Sequence, residues 1–309
     1  MQPILLPLIK LLIKREYCFV LFFLSLTALT SYAQEDSLMN ALEAEQVKVP
    51  EKVTGAFKST RVINNHSMEM LAPGNLDVRI LHRFGYINNG ISELFGLDDA
   101  SMRMGFDYGL TKDLNIGVGR STFRKELDAF VKYRIWQQTT GTKNIPFSVI
   151  LLQGISTWTE KSFTGKVSVE DRTAYYTQLI IGRKFSDKFS LQLMPTYLHR
   201  NMAFETGYNK ANIALGIGSR MKISKRMALT LDYTHSFTDL PDNYYNALSF
   251  GIDIETGGHV FQMHFSNASG MNERAFITET TGDFFNGDIR FGFNLSRVFS
   301  LKKKKNSAF

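Results

Sequence analysis

The sequence predicts an all-β fold: a closed antiparallel transmembrane β-barrel of about twelve strands, preceded by a short N-terminal periplasmic segment. Three observations carry this. From Asn75 onward, segment after segment alternates apolar and polar residues over about 8–12 positions, with no convincing amphipathic helix between them. The connections between segments are by turns long and tight. Hydrophobic content is ordinary at 44 %, as expected of a wall that shows lipid only every second residue.

Taken in order, residues 1–33 read as a cleavable export signal. Lys10, Lys14 and Arg15 supply its charge, the apolar run spans Tyr17 to Ala33, and Ser31-Tyr32-Ala33 gives a small-x-small ending before Gln34. A retained anchor is the alternative, and at 17 residues the run is at the short limit for a spanning helix. The only cysteine, Cys18, lies inside this signal without the small residues that precede a lipoprotein cysteine. A mature chain without cysteine excludes a disulfide framework and thiolate chemistry. The net charge of +7 falls to +5 without residues 1–33 and to +1 without Lys302, Lys303, Lys304 and Lys305. The body is almost neutral, so the charge gives no reason to expect a nucleic-acid partner.

Residues 34–74 form a periplasmic lead-in or a plug segment, with one strand-like piece, "KVTGAFKSTRVI", at 52–63. The barrel is expected over 75–299, with strands at 75–85, 101–110, 113–120, 126–136, 145–156, 174–185, 188–199, 211–222, 226–237, 246–255, 259–266 and 288–299. Long connections at 86–100, 157–173, 200–210 and 267–286 belong outside the cell. Tight ones at Thr111-Lys112, Ser186-Asp187, Ile223–Lys225 and Gly257-Gly258 belong in the periplasm. The third connection, near Thr122–Lys125, and the fourth, 137–144, run against the rule. An even strand number returns the C-terminus to the periplasm, and closure removes edges that lipid cannot satisfy. A soluble β-sandwich, the alternative, predicts no such alternation of loop length.

In the last strand, Ile289, Phe291, Phe293 and Leu295 share one parity and Arg290, Gly292, Asn294 and Ser296 the other. Arg290, Gly292, Phe293, Leu295 and Phe299 resemble the C-terminal signal read by the barrel-assembly machinery. Arg297 and the basic periplasmic tail 300–309 depart from it. Tyr108, Tyr133, Trp158, Tyr197, Tyr233, Tyr244 and Tyr245 fall near strand ends, where girdle aromatics meet the headgroups of outer-membrane lipid.

The stretches at 57–67, 82–90, 94–123 and 128–134 resemble an uncharacterised outer-membrane β-barrel family of Gram-negative bacteria, the domain of unknown function 5777. The resemblance covers most of the mature chain and is densest over 53–136. It implies a barrel and an outer-membrane address, and no established reaction.

Charge gathers on the non-lipid parity of the early strands: Asp77, Arg79, Arg83, Arg103, Asp107, Asp128, Lys132 and Arg134. One reading is a small-solute pore or uptake protein whose charged, mainly basic lumen selects anionic or zwitterionic solutes. Another is a salt-bridged lumen with no solute path, in a barrel that presents its loops 157–173 and 267–286 to partners. Lys58, Arg61 and His66 would let 51–72 act as a plug that pairs with lumenal acids. A third reading is an outer-membrane lipid hydrolase using His82, His235 or His264, but no Gly-x-Ser-x-Gly motif is present. The expectation is therefore a non-enzyme without cofactors. The six histidines form no metal-ligand spacing, so no metal is expected.

Overall fold

A computed structural model describes residues 50–160, 167–202 and 209–301. The export signal, most of the lead-in and the tail from 302 lie outside the described residues.

Twelve antiparallel strands close into one barrel. They are β1 (Asn75–Tyr86), β2 (Ala100–Gly109), β3 (Leu114–Ser121), β4 (Glu126–Trp136), β5 (Ser148–Trp158) and β6 (Thr173–Lys184). They continue as β7 (Phe189–Arg200), β8 (Ala211–Lys222), β9 (Met227–Ser236), β10 (Ala247–Thr256), β11 (His259–Ser266) and β12 (Arg290–Ser300). Each pairs with its neighbour in sequence. β12 closes on β1 with Ser300 opposite Asn75 and Arg290 opposite Tyr86, across one register shift between Arg290 and Gly292. The single α-helix among the described residues, α1 (Glu273–Thr278), lies in the β11–β12 connection.

Strand alternation sorts the wall into two faces. On β5, Ser148, Ile150, Leu152, Gly154, Ser156 and Trp158 point inward and are buried, while Leu151, Gln153 and Ile155 are exposed. Val118, Val131, Tyr133 and Ile213 on other strands are each about half exposed. An apolar wall this continuous is unstable against water and stable against hydrocarbon, so the barrel is transmembrane.

Two expectations need correction, and the two irregular connections gain a reason. The strand-like piece at 52–63 contributes only Glu51–Lys52, which pairs with Thr139–Thr140 outside the barrel. A closed wall offers no edge to a further strand, so the rest of that segment turns inward. Trp158 is no girdle residue: it falls on the inward parity and is buried beneath the Arg274 guanidinium, 4.7 Å from its ring. The fourth connection, 137–147, is long because it supplies the partner for that N-terminal ribbon. The third is short, and its Arg124, at φ 50°, reaches Glu279 of the β11–β12 connection at 2.8 Å.

Candidate functional site: the occupied lumen

Two inserts fill the barrel. From the tight-turn end comes the N-terminal segment, which folds back on itself between Thr60 and Ser67. Val62 N–H donates to Asn65 O at 2.8 Å and Ser67 N–H to Thr60 O at 2.9 Å. The Asn64-Asn65 pair forms the turn, where side-chain amides both tolerate turn geometry and seek partners. From the long-loop end comes the β11–β12 connection. Asn272 caps α1 by accepting from Ala275 N–H at 2.9 Å, and every residue of the helix is buried.

The hairpin is bonded to the wall through its main chain. Ile63, Asn64 and Asn65 N–H all donate to one carboxylate oxygen of Asp232, on β9, at 3.1, 2.7 and 2.9 Å. Asn65 Nδ2 donates to the other oxygen at 2.6 Å. Gln262 on β11 donates to Val62 O at 2.6 Å, Asn294 on β12 to Ile63 O at 3.0 Å and Gln192 on β7 to His66 O at 2.7 Å. Gln192 also accepts from Met68 N–H at 2.8 Å. Lys132 on β4 donates to Ser67 O and Glu69 O at 2.6 and 2.7 Å. Burial makes each of these polar groups costly to leave unpaired, so the set is specific to one hairpin position.

The residues singled out by sequence lie around this hairpin or against one another. Arg79 bonds Asp77 and Thr60, with Asp107 at 3.6 Å, and Asp107 accepts from Thr60 Oγ1 at 2.9 Å. Arg103 pairs with Asp128, its Nε at 2.8 Å. Arg83 donates to Asn64 Oδ1 at 2.8 Å and to Asn294 Oδ1 at 3.0 Å. Arg134 stands apart at the tight-turn rim, with Asp113 at 3.0 Å. The strip occupies β1, β2 and β4; on β5–β7 buried Ile150, Leu152, Ile180, Met194 and Leu198 add apolar patches between polar side chains such as Gln178, Gln192 and Thr196. The strip holds five bases and three acids, or four and three without Arg134.

Sequence reasoning missed Asp232, Gln192 and Gln262. Each shares its inward parity with other buried polar residues, Ser190 and Thr196 on β7, Thr230 and Thr234 on β9, His264 and Ser266 on β11, so parity alone does not single it out. Missed too was the clearance cut for the hairpin. A Cβ on Gly182 would stand 2.2 Å from Met68 Sδ, and one on Gly218 would stand 2.8 Å from Val62 Cγ2.

At the other insert, Arg274 is held between Glu126, at 2.6 and 2.7 Å, and Glu279. Burial pushes against ionisation of Glu279, but Arg274 and Arg124 outweigh it and hold its carboxyl below the usual range. Phe276 and Ile277 pack on Phe130, Leu152, Tyr176 and Leu198. The two inserts meet at Glu273, 3.3 Å from Arg61 and 3.5 Å from His66. Burial raises the Glu273 carboxyl, with Arg61 pulling the other way. Burial, then Arg61, Lys132, Arg79 and Arg103, lowers His66 well below the ordinary imidazole range.

The remaining sites are quickly placed. His82 faces outward and stacks on Phe293 at 5.0 Å, His235 bonds Asn246 at 3.1 Å, and His264 is buried inside. On β12, Arg290 lies over the Tyr86 ring at 3.6 Å, Gly292 is buried beside Arg83, Leu295 is partly buried and Phe299 is exposed under the Arg297 guanidinium. No group of three or more metal-ligating side chains occurs among the described residues. Two cavities, of about 140 and 290 Å³, flank the hairpin near the tight-turn end. The larger is lined by Lys52, Thr54, Met68, Arg134 and Gln137 among others.

A transmembrane barrel with its lumen occupied by its own chain is the class that fold and site define. The chain belongs to the family described as the membrane bound beta barrel domain, domain of unknown function 5777, whose model matches residues 57–299. Among solved structures, it is similar to the NanC porin at 10% identity, covering 74% of this chain and 100% of that one, with a TM-score of 0.46. It is similar to the KdgM porin at 10% identity, covering 73% and 99%, with a TM-score of 0.44. It is also similar to LpxR from Salmonella typhimurium at 9% identity, covering 73% and 99%, with a TM-score of 0.32. No curated protein matches the chain.

Proposed function

We propose that this is an exported outer-membrane barrel, closed at rest by its N-terminal hairpin, that passes small solutes when the hairpin leaves. The tight turns would face the periplasm and the long loops the exterior. One observation carries the reading: Arg79, Arg83 and Lys132 bond the hairpin instead of standing free in a pore. With the hairpin out, Arg79, Arg83, Arg103 and Lys132 would line one side together with Asp77, Asp107 and Asp128. A mixed strip of this kind, four bases to three acids, suits zwitterionic solutes, which meet both signs of charge.

Conductance in a planar bilayer tests this. The full chain should be silent or open rarely, and Asp232→Ala should conduct in discrete steps. Neutralising Arg79, Arg103 and Lys132 in that background should shift its reversal potential under a salt gradient. The second reading, a non-conducting barrel that presents its loops, draws on the second insert, because α1 fills the long-loop half. Silence from a folded Asp232→Ala barrel in which hydrogen exchange shows the hairpin released would favour that second reading.

A further inference from the structure

The wall contacts of the hairpin are unusual for what they ignore. Five wall residues, Asp232, Gln192, Gln262, Asn294 and Lys132, bond main-chain N–H and C=O groups from Val62 to Glu69. Main-chain groups are common to every peptide, so a wall that satisfies them recognises the backbone before the sequence. Its acceptors meet the hairpin's N–H groups and its donors the hairpin's C=O groups. Asp232 requires donors, which excludes an inorganic anion from that position, and three successive amides converge on it as only a peptide turn supplies them. Gly182 and Gly218 leave the space that the hairpin's Met68 and Val62 enter.

We infer that the lumen is a peptide-binding site that the hairpin occupies in cis, and that a free peptide with a polar two-residue turn can take its place. This rests on the plug reading above and names the substrate class for it: short zwitterionic peptides. Arg83 and Ser249, which bond the Asn64 side chain at 2.8 and 3.0 Å, add a preference for an amide at the turn.

The test uses the full chain carrying a protease site between Ala72, which is exposed, and Pro73. The chain folds closed and is then cut. A fluorescent synthetic peptide of residues 56–71 should exchange with the cut fragment saturably, read by anisotropy. N-methylation at Asn64 and Asn65 removes two donors to Asp232 and should weaken binding at least about tenfold. Asp232→Asn in the barrel should weaken the unmodified peptide similarly. The uncut chain gives an independent readout, because excess unlabelled peptide should raise deuterium uptake at its hairpin amides. If the fragment leaves and conductance steps appear, yet the peptide does not enter, the peptide inference falls while the plug reading stands. An N-methylated peptide that enters as tightly as the unmodified one also overturns the inference. A fragment that neither leaves nor exchanges, short of barrel unfolding, overturns both.

Discussion

The two inserts occupy one lumen and both rest on apolar side chains, Phe57, Val62 and Met68 of the N-terminal segment on Ile150, Ile180 and Met194, but their polar contacts differ. Much of the hairpin's hold is hydrogen bonding between its main chain and wall residues on β4, β7, β9, β11 and β12, around most of the circumference. The β11–β12 connection is held by buried ion pairs on one side, Arg274 with Glu126 and Glu279, and by an apolar patch under Phe276 and Ile277. It is also tethered at both ends by adjacent strands, whereas the hairpin is continuous with the barrel wall only through 68–74. A buried ion pair adds little net stability yet is costly to break on one side. A ring of main-chain bonds is individually modest and collectively exact in position. The difference leaves the hairpin as an insert positioned by many single bonds around the wall, and the loop as an insert anchored along one side of it.

The sharpest way to break this contrast is Asp232→Ala. Three amide donors of Ile63, Asn64 and Asn65 lose their acceptor, at about 1–3 kcal/mol each when left buried. The hairpin should detach while the barrel stays folded. Hydrogen exchange would show amides 60–68 unprotected and the strand amides unchanged; retained protection at 60–68 would contradict the assigned role of Asp232.

Arg274→Ala acts on the other insert. It strands Glu126 and Glu279 without their shared cation, at about 3–5 kcal/mol. Loop 267–289 should become protease-sensitive, with the hairpin still protected. Loss of both together would mean that the inserts form one cooperative unit, contrary to the comparison drawn here. A smaller effect is expected from Gly218→Leu, whose side chain must displace Val62. Overpacking of this kind costs about 1–3 kcal/mol, felt by the hairpin alone. The same substitution at Gly257, in the β10–β11 turn, should leave hairpin protection unaltered, since no atom lies within 4 Å of its Cβ position.

How much of this was legible in the sequence depends on the range of the interaction. Period-two alternation is local, so the twelve strands and their even number followed from spacing; β4, β8 and β11 have the very bounds that alternation gives. The inward direction of Asp77, Arg79 and Arg103 likewise needs only parity. What those side chains bond is not local. Asp232 meets amides 167 to 169 residues away, and nothing in "LDYTHSF" distinguishes an inward acid facing water from one facing a hairpin. Trp158 was misplaced because a strand-end aromatic suits either face, and only the parity of β5 against Ile150 and Leu152 decides it. Nothing in "GIGSR" shows why Gly218 is glycine; the requirement that places it is the volume of Val62 from another part of the chain.

The finest distinction between the inserts is their response to acid. His66 is buried facing Arg61 on its own hairpin, Lys132 on β4, Arg79 on β1, Arg103 on β2 and Glu273 on α1. Burial first and the four cations after it keep the ring neutral. A base whose folded pKa is depressed contributes full stability above its ordinary value, near 6.5, and loses it as the pH falls below that. Each pH unit in that window removes up to about 1.4 kcal/mol of hairpin docking. Glu279, held low by Arg274 and Arg124, keeps its contribution until the pH falls below about 4.5, its ordinary value. Glu273, raised by burial, runs the other way and favours docking as the pH falls towards 4.5, taking up its proton above that ordinary value. Acidification from pH 7.5 to 5.5 should therefore loosen amides 60–68 and leave 273–279 protected, in hydrogen exchange corrected for intrinsic rates. His66→Gln should flatten that dependence. An unaltered slope in this variant would assign the acid response to another group and remove the last difference between hairpin and loop.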